Sequence, residues 1–220
     1  LRNEVLKINF DSNIQDSSDS EITFKSIDSQ IELDGKIRIS KTNHLYLDSL
    51  KLNNSKNVKI NISGDLSERI LNLSIHGEMI DLSMNKISTN KKIKEHYLSK
   101  ENYKIKTDKV IFAGGVKVND FKAGILKQGE LLSVNSKASI NNHTLNYSRE
   151  KNEEVDINLI SSSDITHFVH NKHPAKKLLS DGELKMKSVR DLSTMDARVD
   201  IDLKDFVLIN TPVSYTHLRA

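Results

Sequence analysis

Cysteine and tryptophan are absent from the 220 residues, and proline occurs only twice. Without cysteine there is no disulfide framework, no zinc–cysteine or iron–sulfur centre and no thiol nucleophile. An excess of charge of one sign is missing as well. Lys plus Arg number 33 and Asp plus Glu 30, a formal balance of +3. A dedicated nucleic-acid binder concentrates far more basic excess, so no nucleic-acid partner is expected. No uninterrupted apolar run approaches the roughly 20 residues of a membrane-spanning helix. Gly-x-Ser-x-Gly, Gly-x-Gly-x-x-Gly and phosphate-loop motifs do not occur. The chain opens at Leu1 with neither methionine nor a signal-peptide pattern and reads as an internal piece of a longer protein.

What is present is a hydrophobic fraction of 36% laid out with a period of two. Ile31 and Leu33, then Ile37 and Ile39, flank Asp34-Gly35, which reads as a first hairpin turn. Leu45 and Leu47, then Val58, Ile60 and Ile62, then Leu71, Leu73 and Ile75 alternate with polar residues. The rhythm resumes with Val110 and Phe112, a Gly114-Gly115 turn, Val116 and Val118, and with Val155, Ile157 and Leu159. It ends in Leu184 and Met186, then Ala197, Val199, Ile201 and Leu203. Successive strand side chains point to opposite faces, so each segment carries one apolar and one wet face. Alternation of this kind belongs to an antiparallel meander, since strands of a buried parallel sheet read as continuous apolar runs.

Two stretches interrupt the pattern. Residues 85–102, with Lys91, Lys92 and Lys94, read as a polar linker holding at most a short helix. Ser163 or Asp164 caps a run in which Ile165, Phe168 and Val169 share a helical stripe, placing a second short helix near 163–172. The expected organisation is a β-meander segment over 1–84, the linker, and a β-sheet unit over 103–212. Val213 to Ala220 resemble the translation of a sequencing adapter and are set aside as a non-native tail. About a dozen or more strands follow, enough for a sheet on the order of 60 Å wide. Amphipathic helices to cover its apolar face are lacking, which leaves a second sheet or a ligand.

From about Glu78 onward several pieces stand in a family's order. Gly77-Glu78-Met79-Ile80-Asp81-Leu82-Ser83 resembles a strand closing one unit, and Asp108-Lys109-Val110-Ile111-Phe112 with Gly115-Val116-Lys117-Val118 the next unit's opening hairpin. Gly129-Glu130-Leu131 and the step from Ser161 to Asp164 fit the same order. Most specific are Asp181-Gly182-Glu183-Leu184 and Asp205-Phe206-Val207-Leu208-Ile209-Asn210-Thr211-Pro212. Together they resemble the AsmA-like C-terminal region of YhdP-type proteins, in the AsmA/TamB group, over roughly the last 130 native residues. The resemblance implies an all-β, elongated, curved antiparallel meander forming an open groove, with one or two short helices. It further implies the periplasmic part of an inner-membrane-anchored bridge that shields phospholipid acyl chains on the way to the outer membrane. The inner membrane would be reached through a segment outside this sequence. The lining would come from Val110, Phe112, Val116, Val118, Val155, Ile157, Leu159, Leu184, Met186, Ala197, Val199, Ile201 and Leu203.

No enzyme, cofactor or metal is expected. His167, His170 and His173 are spaced for a helix face, yet Pro174 ends that helix and no carboxylate repeats with them, so they read as surface histidines. Asp196, Asp200, Asp202 and Asp205, and likewise Glu153, Glu154 and Asp156, could pair for glycoside hydrolysis. They alternate with apolar residues beside Arg198 and Lys204 and read instead as a solvated strand face. The competing class is a structural or adhesive β-repeat module whose core is filled by its own side chains. A β-helix enzyme acting on polysaccharide is a third.

Overall fold

A strand with one apolar face must keep its register with both neighbours, because a slip of one residue turns every side chain over. The computed structural model describes residues 8–13, 20–26, 31–42, 44–54, 58–83, 98–112, 115–164, 166 and 179–208. The first half holds β1 (Ile8–Asn13), β2 (Ser20–Ser26), β3 (Ile31–Ile39), β4 (Leu45–Asn54), β5 (Val58–Ser67) and β6 (Ile70–Asp81). The second holds β7 (Lys100–Ile111), β8 (Lys117–Gln128), β9 (Leu131–Ile140), β10 (His143–Lys151) and β11 (Val155–Ser162). It closes with β12 (Leu179–Ser180), β13 (Glu183–Asp191), β14 (Ala197–Lys204) and β15 (Val207–Leu208). Thirteen of these strands form one open sheet in chain order, with β1 and β14 at its two ends; β12 and β15 pair separately. The architecture is all-β and dominated by antiparallel pairing, as the alternation predicts.

The structure corrects the sequence reading at three places. Asp34-Gly35 is no turn: β3 runs straight through it, and Gly35 is buried in mid-strand. A Cβ at that position would lie 2.1 Å from Cζ of Phe24, so the missing side chain makes room for an aromatic ring on the neighbouring strand. The meander is also broken once, because β6 and β7 run parallel, with Ile70 beside Lys100 and Ile80 beside Val110. A parallel pair needs a crossover of a dozen or more residues, and the connection over 82–99 is long enough. Finally, Lys100 to Asn102 belong to β7 and not to the linker. The helix near 163–172, the linker helix and the 213–220 tail fall largely or wholly outside the described residues.

Two-residue turns join several hairpins. Asn141-Asn142 has φ of 47° and 71°, the left-handed pair that suits a tight hairpin and that Asn adopts readily. Glu68-Arg69 makes the same turn at 44° and 65° with residues that carry no turn signature. Register shifts at Lys36/Ile37, Leu47/Leu50, Lys59/Ile60 and Asn119/Lys122 are β-bulges, each of which bends its strand and deepens the local twist.

The most enclosed region lies where β7, β8 and β9 meet. Val110, Val118 and Ala138 are buried, with Ile80, Leu82, Phe112, Phe121, Ile140 and Leu145 packed around them. Phe112 meets Phe121 edge to face at 6.1 Å. Fully burying a Val-sized side chain contributes about 1.5–3 kcal/mol, so this cluster anchors the second half. Thr107, 2% exposed, sits beside it with a hydroxyl that has no hydrogen-bond partner among the described residues.

At the other end the strongest sequence motif explains itself. Glu183 faces Lys204 in the main sheet, and three residues further on Ser180 faces Val207 in the small one, so both ladders share one register. Between them Asp181 (φ 55°), Gly182 (91°) and Asp205 (52°) all turn left-handed, which redirects the hairpin out of the main sheet. A Cβ on Gly182 would meet Cβ of Phe206 at 2.6 Å. Gly182→Ala is therefore expected to cost about 1–3 kcal/mol, read as a lower urea midpoint. Thr107→Val, which keeps the shape and removes the unpartnered hydroxyl, is expected to stabilise by about 1 kcal/mol and so to raise that midpoint. A destabilised Thr107→Val variant would show that the hydroxyl has a partner.

Candidate functional site

Following the register from strand to strand gives the composition of each face. One row crosses the whole sheet: Phe24, Gly35, Leu50, Ile62, Ile75, Ile105, Ala123, Ser136, Tyr147, Ile160, Met186 and Ile201 stand opposite one another in turn. Phe10 on β1 faces Phe24 and extends the row to the thirteenth strand. It contains no charged residue. Neighbouring rows on the same face continue it with Leu33, Leu52 and Ile60, and with Leu45, Leu66 and Leu71. The opposite face carries Lys104, Lys106, Lys122, Lys137, Lys185 and Lys187 among Asn, Ser and Asp residues, most of them exposed.

The expected lining residues divide between the two faces. Val110, Val118, Leu184, Met186, Ala197, Val199, Ile201 and Leu203 lie on the apolar face, and Phe112 packs against its buried cluster. Val116 is exposed beside the Gly115 turn. Val155, Ile157 and Leu159 lie on the polar face, where Ile157 stands opposite Glu150 and Val189, and Leu159 opposite Ser148 and Lys187. Their alternation is real but its phase is inverted. On β11 the apolar face is supplied by Asp156, Asn158, Ile160 and Ser162. The turn before β11 sets this phase: the Asn152 side chain accepts from the backbone N–H groups of Glu154 and Val155 at 2.9 and 2.7 Å. Lys151 is thereby held opposite Asp156. Carrying Asp156 on this face is tolerable because Arg149 grips it with two bonds of 2.8 and 2.6 Å.

Asp156 belongs to a larger polar margin. Glu101, Lys127, Leu132, Lys151, Asp156, Arg190 and Ala197 form one row across β7 to β14 on the apolar face. This row sits four residues along each strand from the uncharged one, roughly 13 Å away. Lys127 binds Glu101 at 2.7 Å, and Tyr103 donates its hydroxyl to the other oxygen of Glu101 at 2.5 Å. Asn158 accepts from Tyr147 at 2.9 Å and reaches Asp156 at 3.3 Å. Burial, reinforced by Glu101, pushes the Tyr103 hydroxyl up to about 12. The Arg149 bonds hold Asp156 below the ordinary carboxylate range against the opposing effect of burial. Over the second half, the apolar face therefore grades from the buried Val110–Val118 end to a charged border.

Exposure varies along the face too. Val110 and Val118 are 2% and 1% exposed, whereas Val199 and Ile201 on the terminal strand are 54% and 61% exposed. On the other side, a furrow of about 860 Å³ runs across β8 to β14, lined mostly by polar-face side chains such as Lys122, Lys137, Ser161 and Lys187. Its β14 side carries two acids, Asp200 and Asp202. No group of three or more His, Asp or Glu placed to hold a metal occurs among the described residues. His167, His170 and His173 lie outside them. Asp200 bonds Arg198 at 2.9 Å and Asp202 lies 3.8 Å from Lys204, all on the exposed face. Family models, curated proteins and solved structures provide no match to this chain.

A carboxyl ionised more readily in the folded chain than in the unfolded one stabilises above the unfolded pKa, about 3.9 for Asp, and the contribution is lost as pH falls through the lower folded value. Asp156→Asn is expected to lower the urea midpoint near neutrality and to flatten its fall below about pH 4. Arg149→Ala, which leaves a largely buried carboxylate unpaired, is expected to cost about 1–3 kcal/mol. Midpoints measured from about pH 7 down to about pH 2 check both; an acid limb unchanged in Asp156→Asn would refute the assignment.

Proposed function

We propose that this chain is part of a periplasmic, bridge-like protein that shields phospholipid acyl chains between the inner and outer membranes of a Gram-negative envelope. The supporting observation is the uncharged row that crosses all thirteen strands on one face, bordered over β7 to β14 by a charged row on that same face. Exposing a sixteen-carbon chain to water costs on the order of 12 kcal/mol, at about 0.8 kcal/mol per methylene. A route through an aqueous space must offset that cost at every step, which a uniform lining of Ile, Leu and Phe does without a deep binding minimum. Acyl tails lie across the apolar rows, and head groups meet Lys127, Arg149, Lys151 and Arg190 at the border. No bond is made or broken, so no catalytic residue, cofactor or metal takes part. The protein is anchored in the inner membrane by a segment outside this sequence, and the direction of flow is imposed from elsewhere.

A structural or adhesive module is favoured by one observation, the closure of Val110, Val118 and Ala138 against their own neighbours. The two readings separate cleanly on β11 and β14. Photo-crosslinking side chains are placed at Ile160 and Ile201 on the apolar face, and at Leu159 and Lys187 on the polar face. Acyl-chain adducts, identified by mass spectrometry after expression in a Gram-negative envelope, are expected from the first pair and not from the second. Equal capture from both faces, or capture from neither, would overturn the lipid-carrier reading.

A further inference from the structure

Among the described residues the thirteen-stranded sheet ends at β14, an edge whose charges, Arg198, Asp200, Asp202 and Lys204, are confined to the polar face and which lacks the other usual defences against strand addition. Edge strands normally carry a proline, a bulge, or a charge on the inward face. Ala197 to Lys204 contain no proline, pair with β13 without a register shift, and present Ala197, Val199, Ile201 and Leu203 to the apolar face. Every residue of the strand except Leu203 is exposed. Beyond it, the left-handed Asp205 takes the chain out of the sheet, so β15 does not cover this edge.

We propose that β14 is a self-pairing edge, on which a second copy of this chain adds its own β14 antiparallel about a twofold axis. The charge pattern supports this and selects one register. Pairing that keeps both apolar faces on one side must match odd residues with odd. Two such registers overlap nearly the full strand. With Ile201 on the axis, Arg198 faces Lys204 and Asp200 faces Asp202, which gives four like-charge contacts by symmetry. With Asp200 on the axis, Arg198 faces Asp202 and Asp196 faces Lys204, which gives four opposite-charge contacts. Val199 then meets Ile201 and Ala197 meets Leu203. The single like pair, Asp200 against Asp200, is flanked by Arg198, which already bonds Asp200 of its own chain at 2.9 Å. Directly opposed charges on a sheet stabilise or destabilise according to sign, so the second register is the one adopted. The contact is isologous and closes at two copies, with the apolar face continuous across the axis.

The chain has no cysteine, so one introduced at position 200 is unique. Asp200→Cys is expected to be bridged by a short bismaleimide to a covalent dimer, and Lys187→Cys, exposed on the interior strand β13, is not. Sedimentation velocity on the whole chain is expected to show a monomer–dimer equilibrium. Arg198→Asp should weaken it about tenfold or more, and the exchange Arg198→Asp with Asp202→Arg should restore it. The restored double variant separates a lost contact from a lost fold. A strictly monomeric chain at high micromolar concentration, equal bridging at 187 and 200, or no rescue by the double exchange would each overturn the proposal. None of these readouts depends on lipid binding.

Discussion

Side-chain alternation is the constraint from which the rest of this structure follows. In a one-layer sheet, what a face presents is decided by register alone, and each strand inherits its phase from the strand before. Twelve successive pairings carry one phase from β1 to β14, through four bulges and one reversal of strand direction. The bulges preserve it by inserting a residue where the strand bends. Asp120, left-handed at φ 51°, sits in such a bulge, so that Val118 and Phe121 both reach the buried cluster although three residues separate them. Strict alternation would have placed one of the two on the polar side.

This separates what was legible in the sequence from what was not. The open all-β architecture follows from the period-two segments, although β1, β2, β9 and β10 were not singled out, and the apolar phase of β13 and β14 follows from Leu184, Met186, Val199 and Ile201. The phase of β11 does not, since Val155, Ile157 and Leu159 alternate just as cleanly as Asp156, Asn158 and Ile160. The sign that could have resolved it was Arg149, set seven residues before Asp156 across a short turn, but an ion pair between strands is visible only once the register is known. Gly35 misled for a related reason: Asp-Gly is a strong turn signal, while the Phe24 ring that occupies the vacant space comes from another strand. Glu68-Arg69 was invisible because neither residue favours the left-handed backbone it adopts. The parallel β6–β7 pair had no local signal, since strand direction is a property of the connection.

The polar network on the apolar face has a distinct role in specificity. Glu101–Lys127 and Arg149–Asp156 hold charges at partly buried positions, where the attraction between partners is largely consumed by their lost hydration. Their net contribution to stability is small compared with the cost of removing one member. Such pairs penalise a shifted register heavily, because a slip of two residues keeps the faces correct yet leaves each charge without its partner. Hydrophobic alternation chooses between the two faces and cannot discriminate slips of two. The ion pairs can, which accounts for their position on strands whose apolar rows are otherwise interchangeable.

The parallel pairing of β6 with β7 carries a consequence for how the chain reaches this structure. Substantial contacts link only neighbouring strands, so the sheet is a one-dimensional array in which hairpins can form locally and add one after another. Most antiparallel junctions close a short connection, whereas β6–β7 and β11–β13 are separated in sequence by 82–99 and 163–182. Loop closure of that length is paid in chain entropy before any ladder bond forms. By that measure the β6–β7 and β11–β13 junctions, closed through 82–99 and 163–182, are the costliest of the sheet to form.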